Sequence, residues 1–137
     1  MADRTTLTFL LMDAPFENAR TTTAFRLLQA AVSRGHDVNV FAYEGAVALP
    51  FIRQRGHANP VHGRDAAQED HPLPRNWVAE LLRLAGEQGT KLDWVNCGLC
   101  VDERGVDESV EGTRRGSPAE FWKMAASSHN ALVIATK

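Results

Sequence analysis

The chain has 137 residues, 44% of them hydrophobic and 23% charged, with 15 basic against 17 acidic side chains and a net charge of −2. That length fits one domain with one sizeable core better than two domains. The near-neutral balance gives no electrostatic reason for nucleic acid or an anionic membrane as partner, and no apolar run approaches the roughly 20 residues of a membrane span. The start, Met-Ala-Asp-Arg-Thr-Thr, lacks the apolar stretch of a secretory leader. The expected compartment is therefore the cytoplasm, where thiols stay reduced.

Residues 7–12 form a short apolar run, the pattern of a strand buried on both faces. A loop follows at 13–18, punctuated by Pro15 and Asn18. Residues 19–34 place Ala24, Leu27, Leu28, Ala31 and Val32 on one helical face, and Gly35 is a plausible stop. Val38 to Tyr43 reads as a second strand, which completes a strand–helix–strand unit. Glu44-Gly45 is a turn, and Ala46 to Ile52 a short helix interrupted by Pro50. Residues 53–72 hold Gly56, Pro60, Gly63 and Pro72 and three of the five histidines, so they read as a long loop. Pro74 suits the first turn of a helix whose body is Asn76 to Gln88, closed by Gly89. Leu92 to Val95 is a third strand. Residues 107–116 are polar, and a further strand is placed near Val106–Val110. Ser117, Pro118 and Glu120 form a capping-box pattern for a helix reaching about Ser128. Ala131 to Ala135 is a last apolar strand. The alternation predicts one α/β domain over 1–137, a three-layer α/β/α sandwich on a mostly parallel sheet of about five strands.

The only two cysteines, Cys97 and Cys100, follow the third strand in a Cys-x-x-Cys spacing. In open α/β sheets, ligands and chemistry gather beyond the carboxyl ends of the strands. A thiol at a helix start there can have its pKa lowered into the range of roughly 3.5–7.5; Asp102 and Glu103 oppose this, and Arg104 assists it. Four readings compete. One is a persulfide carrier, in which a thiolate accepts a sulfur atom and passes it on. A second is a thiol–disulfide oxidoreductase, although the pair comes late in the chain for a thioredoxin-like arrangement. A third is a metal site completed by His57, His62 or His71, whose spacing matches no common zinc pattern. The fourth is a pair of small buried side chains. The loops after the three strands supply candidate pocket residues: Asp13, Glu17, Asn18, Tyr43, Glu44, Gly98, Leu99 and Arg104. His62 is a candidate proton donor. Arg114 and Arg115 read as a solvated charge pair, and Trp77, Trp94 and Trp122 as core or subunit contacts.

Three stretches then carry a resemblance: Ala24 to Ala31 leading to Gly35-His36-Asp37-Val38-Asn39-Val40-Phe41-Ala42-Tyr43-Glu44-Gly45; Cys97 through Val106; and Glu111 to Ser117. In order and spacing they resemble the DsrE/DsrF-like (TusD-like) sulfur-relay family over nearly the whole chain, apart from 53–72. The resemblance implies the three-layer fold and cytoplasmic sulfur trafficking, a function expected to need no metal and no cofactor. It also implies a homo-oligomer (trimer or hexamer) or paralogous subunits, working with sulfur donor and acceptor proteins. In TusD-like members the acceptor cysteine lies eight residues before the glycine of an Arg-Gly-Val segment; here that position is Cys97, before Gly105. Cys100 has no counterpart in TusD-like members, although Cys-x-x-Cys forms occur elsewhere in the wider family. As a resolving thiol it would suit a protein that releases or senses sulfur as well as one that carries it. A non-enzymatic ligand-binding or assembly module is the rival class.

Overall fold

The computed structural model describes residues 4–69 and 73–136. Five strands form one parallel sheet: β1 (Thr6–Leu11), β2 (Asp37–Ala42), β3 (Leu92–Cys97), β4 (Thr113–Gly116) and β5 (Asn130–Ile134). They lie in the order β4-β3-β2-β1-β5. The helices are α1 (Ala19–Ser33), α2 (Ala66–Glu69), α3 (Pro74–Gln88), α4 (Gly98–Arg104) and α5 (Pro118–Ser127). This is the expected α/β/α sandwich.

Register explains the layers. Phe9 pairs with Val40, and Val40 with Trp94, so these three side chains share one face of the pleat. That face meets α1 and α3: the Phe25 ring stacks on Trp94 at 6.2 Å and on Trp77 of α3 at 4.9 Å. The next row, Leu10, Phe41 and Val95, points to the other face. There Phe41 packs on Phe121 of α5, and the Thr8 hydroxyl donates to the Met124 carbonyl (3.2 Å). Leu28, Val32, Val38, Val40, Val78, Trp94 and Val95 are fully enclosed, and burial of such side chains is the main stabilising term. The Asn18 side chain caps α1 by accepting from the Arg20 amide (2.7 Å), and Gly35 ends it at φ +82°. Leu27, expected on the buried face of this helix, is 41% exposed, and Phe25 takes the buried place.

Three expectations need correction. The strand near Val106–Val110 is absent as such: that stretch contributes only an isolated bridge, Ser109 to Phe51. The fifth strand is β4, whose sequence Thr-Arg-Arg-Gly carries no apolar alternation because it is a short edge strand paired only with β3. Within the long loop, described as far as residue 69, the chain folds back on itself. An Asn59–Arg64 bridge and a 3-10 turn at Pro60–His62 lead into α2, and Asn59 Nδ2 donates to buried Glu69 (3.0 Å). Ser117 does precede α5, with Pro118 at its first turn, but its hydroxyl makes no cap bond, and the Glu120 carboxylate turns to Arg114 instead.

Candidate functional site

The loops after β1, β2 and β3 converge at the carboxyl edge of the sheet. After β2 the backbone turns sharply. Glu44 adopts φ +52°, a left-handed conformation that strains a residue with a Cβ. Gly45 follows, packed so closely on the loop after β1 that a Cβ there would stand 2.9 Å from Cβ of Ala14, and only glycine fits. This turn opens a 3-10 segment, Glu44–Ala48, which packs on α4.

Cys97 is the last residue of β3 and the N-cap of α4. Cys100 lies one turn along. Both are free thiols and both are buried. They are near enough for Cys97 to perturb Cys100, and Cys100 Sγ accepts the Glu44 backbone N–H (3.2 Å). The Glu44 carboxylate meets the Arg104 guanidinium (2.8 Å), which also donates to the Cys100 carbonyl (3.4 Å). Glu44 and Arg104 thus close a ring of contacts around Cys100. Leu99, between the cysteines, is 74% exposed.

Electrostatics hold the proton on Cys100. Burial first, then the hydrogen bond with Cys97, push the Cys100 thiol up to about 11; the Glu44 N–H opposes this, and the negative charges of Cys97 and Glu44 reinforce it. Helix-start activation is therefore outweighed at Cys100. The phenol of Tyr43 is raised by the Glu44 carboxylate foremost, then by Cys100, burial and Cys97, which places its ring beside the same charges.

At pH 8, iodoacetamide is expected to leave Cys100 unmodified in the native fold, with its labelling rising as the pH nears 11; mass mapping of the labelled peptide measures this. Because the fold holds this proton more tightly than the unfolded chain, Cys100 contributes stability below the ordinary thiol value of 9.0 that is lost as pH climbs through about 11.

One residue emerges that sequence reasoning set aside. Arg115 of β4 donates to the Gly98 carbonyl (3.1 Å) and to Asp102 (3.0 Å). Asp102 raises its pKa further, and the bond to the Gly98 carbonyl sets this guanidinium beside the residue that follows Cys97. Arg114 does behave as a surface charge, paired with Asp93 and Glu120. Behind Cys97, Asn96 is buried, accepting from the Trp94 indole N–H (3.0 Å) and donating to the Ser109 hydroxyl (3.3 Å). The signal for Arg115 was its position two residues past the start of β4, legible only once β4 is placed.

The structure brings Tyr43, Glu44, Gly98, Leu99 and Arg104 to the cysteines. It does not bring Asp13, Glu17 or Asn18 into the same cluster. Asp13 is buried in an ion pair with Arg20 (2.8 Å), Glu17 is exposed, and Asn18 is engaged as the α1 cap. His62 sits exposed in its 3-10 turn, where its contacts are with Asn59. No group of three or more His, Cys, Asp or Glu stands in position to hold a metal ion among the described residues; His71 lies outside them. Among the described residues no helix is long and apolar enough to cross a membrane.

A family model described as the DsrE/DsrF-like family matches residues 6–134. Among solved structures, the ychN protein from E. coli superposes with a TM-score of 0.72 at 16% identity, covering 95% of this chain and 99% of the other. A conserved protein of unknown function from Bacteroides thetaiotaomicron gives 0.57 at 14% identity, covering 94% of each chain. At these identities the likeness speaks for the fold alone. No curated protein matches.

Proposed function

The chain belongs to the DsrE/DsrF-like family, and from that premise we propose that it accepts sulfane sulfur on Cys97, with Cys100 as the thiol that resolves the resulting persulfide. The observation that carries this reading is the pair of free thiols side by side where β3 runs into α4, flanked by Arg115 and Arg104. In the accepting step the Cys97 thiolate attacks the outer sulfur of a donor persulfide. A new S–S bond forms on Cys97, and the donor leaves as its thiolate. Two fates follow. An acceptor thiolate takes the outer sulfur and restores the Cys97 thiolate. Otherwise Cys100 loses its proton to solvent and attacks the inner sulfur, the outer sulfur departs as hydrosulfide, and a Cys97–Cys100 disulfide remains. The two thiols then supply the two electrons that reduce the sulfane sulfur.

Incubation with a small-molecule persulfide donor, followed by intact mass spectrometry, tests the proposal. A gain of about 32 Da, one sulfur atom, located on the Cys97 peptide is the expected result. No gain on either cysteine sinks it. The second reading, a dithiol redox protein without sulfur transfer, is favoured by two free thiols set one turn apart at the start of α4. It requires a labile disulfide with a reduction potential above about −300 mV and no sulfur adduct.

We further propose a cytoplasmic protein that associates with copies of itself or with paralogous subunits and exchanges sulfur with donor and acceptor proteins. Edge strand β5 leaves Leu132 44% and Val133 55% exposed, and Trp122 on α5 is 74% exposed. Apolar surface of this kind supports association. Sedimentation velocity should show a species heavier than one chain.

A further inference from the structure

A cleft of about 550 Å³ opens between the first turns of α1 and α3, beside the segment that follows residue 53. Neither cysteine lines it. Its volume is in the range of small-molecule sites, roughly 300–1,000 Å³. Four aromatic residues are among those that line it: Phe16, Phe25, His57 and Trp77.

The rings form two pairs. Phe25 and Trp77 stack at 4.9 Å with 14° between planes. Phe25 is fixed from behind by Trp94, so this pair is set by the core. Phe16, also in the lining, meets His57 edge-on at 4.9 Å. Phe16 is held at φ +66° and is 48% exposed. A bulky side chain in the left-handed region costs folding energy, and a half-exposed phenylalanine gains little back. Strain of that kind is found where a side chain must be presented.

Two polar groups on the α1 side of the cleft are unspent. The Thr22 hydroxyl and Asn18 Nδ2 have no hydrogen-bond partner among the described residues, since Asn18 caps the helix through Oδ1 alone. Thr21 beside them is already bonded to the Ala14 carbonyl (3.3 Å). Among the described residues no acidic side chain lines the cleft.

We infer that this cleft binds a planar aromatic small molecule bearing a hydrogen-bond acceptor. Its ring packs among Phe16, His57 and Trp77, and its acceptor takes the Thr22 hydroxyl and the Asn18 amide. Offset-stacked and edge-to-face contacts favour an aromatic ring over a saturated one of similar size. The inference gives the segment after residue 53 a role, since His57 supplies part of the wall. It stands apart from the sulfur chemistry proposed for Cys97.

Isothermal titration of the purified chain with 2-naphthoate, and with its saturated analogue decahydro-2-naphthoate, tests it. One saturating site per chain is expected for 2-naphthoate, with the saturated acid about tenfold weaker. Two variants carry the assignment. Phe16→Gly removes one ring and relaxes the strained backbone, so its fold is at least as stable. Thr22→Phe, at an exposed position of α1, fills the cleft. Each should weaken 2-naphthoate binding about tenfold or more with an unchanged melting midpoint. Failure to saturate in the millimolar range, equal binding of the two acids, or native affinity in both variants overturns the inference. So does affinity that falls as chain concentration rises alongside a heavier sedimenting species, because a second copy's side chain then occupies the cleft.

Discussion

A chain carrying Cys100→Ser should retain an added sulfur that the unmodified protein gives up as hydrosulfide. The two thiols stand one helical turn apart at the start of α4, so attack of Cys100 on a Cys97 persulfide is intramolecular. Removing that nucleophile should slow hydrosulfide release, in the absence of added thiol, by roughly two orders of magnitude or more. The adduct of about 32 Da should persist in Cys100→Ser and never form in Cys97→Ser. In the native chain it should give way to a species about 2 Da lighter than the starting protein, the internal disulfide. The pH dependence follows from the high Cys100 pKa. Only the thiolate attacks, and burial holds that thiol up to about 11. Between pH 7 and 10 the release rate should therefore climb about tenfold per pH unit. A pH-independent release rate, or an adduct equally short-lived in Cys100→Ser, removes Cys100 from the mechanism. Hydrosulfide trapping with a thiol-reactive fluorophore measures the rate, and intact mass identifies each species.

The largest stability effect is expected at Trp94. Its side chain is fully enclosed on β3, is covered by Phe25, and donates to Asn96 behind Cys97. Trp94→Ala should cost about 3–5 kcal/mol, from lost burial and from the cavity left in a sheet that cannot collapse around it. It also strips the buried Asn96 oxygen of its donor, which adds a desolvation penalty. Trp122→Ala is the matched control. That ring is 74% exposed, so the same chemical truncation should change the stability of a single chain by about 0.5 kcal/mol or less. Urea titration of both variants measures the difference. Equal costs at the two positions would mean that Trp122 is covered in solution.

The elements with strong periodicity were legible from residues alone. β1, α1, β2, α3 and α5 each bury one apolar face or run against the sheet, and their patterns say so. β4 was not legible, because an edge strand with two arginines carries no hydrophobic signal; its partner strand gives it its register. The exposure of β5 was also hidden, since Ala-Leu-Val-Ile reads the same at a sheet edge as in its centre. Within the site, Tyr43, Glu44, Leu99 and Arg104 could be named because they follow strand ends. Asp13 could be named for the same reason, yet it is spent on Arg20 seven residues away, a local pairing that no strand-end rule anticipates. Arg115 reaches the cysteines from a distant segment across the sheet edge, and such contacts are written in the topology.

The pairing of β5 with β1 joins Leu7 to Asn130. During synthesis β1 leaves the ribosome first, and one of its two edges stays bare until nearly the whole chain has followed. Until then the nascent protein displays an unpaired, apolar strand edge of the kind that recruits other chains. Parallel pairings over such sequence separations also form slowly. The interval between translation of β1 and arrival of β5 is therefore the period in which this protein is most exposed to aggregation, and in which a chaperone that masks strand edges has most to protect.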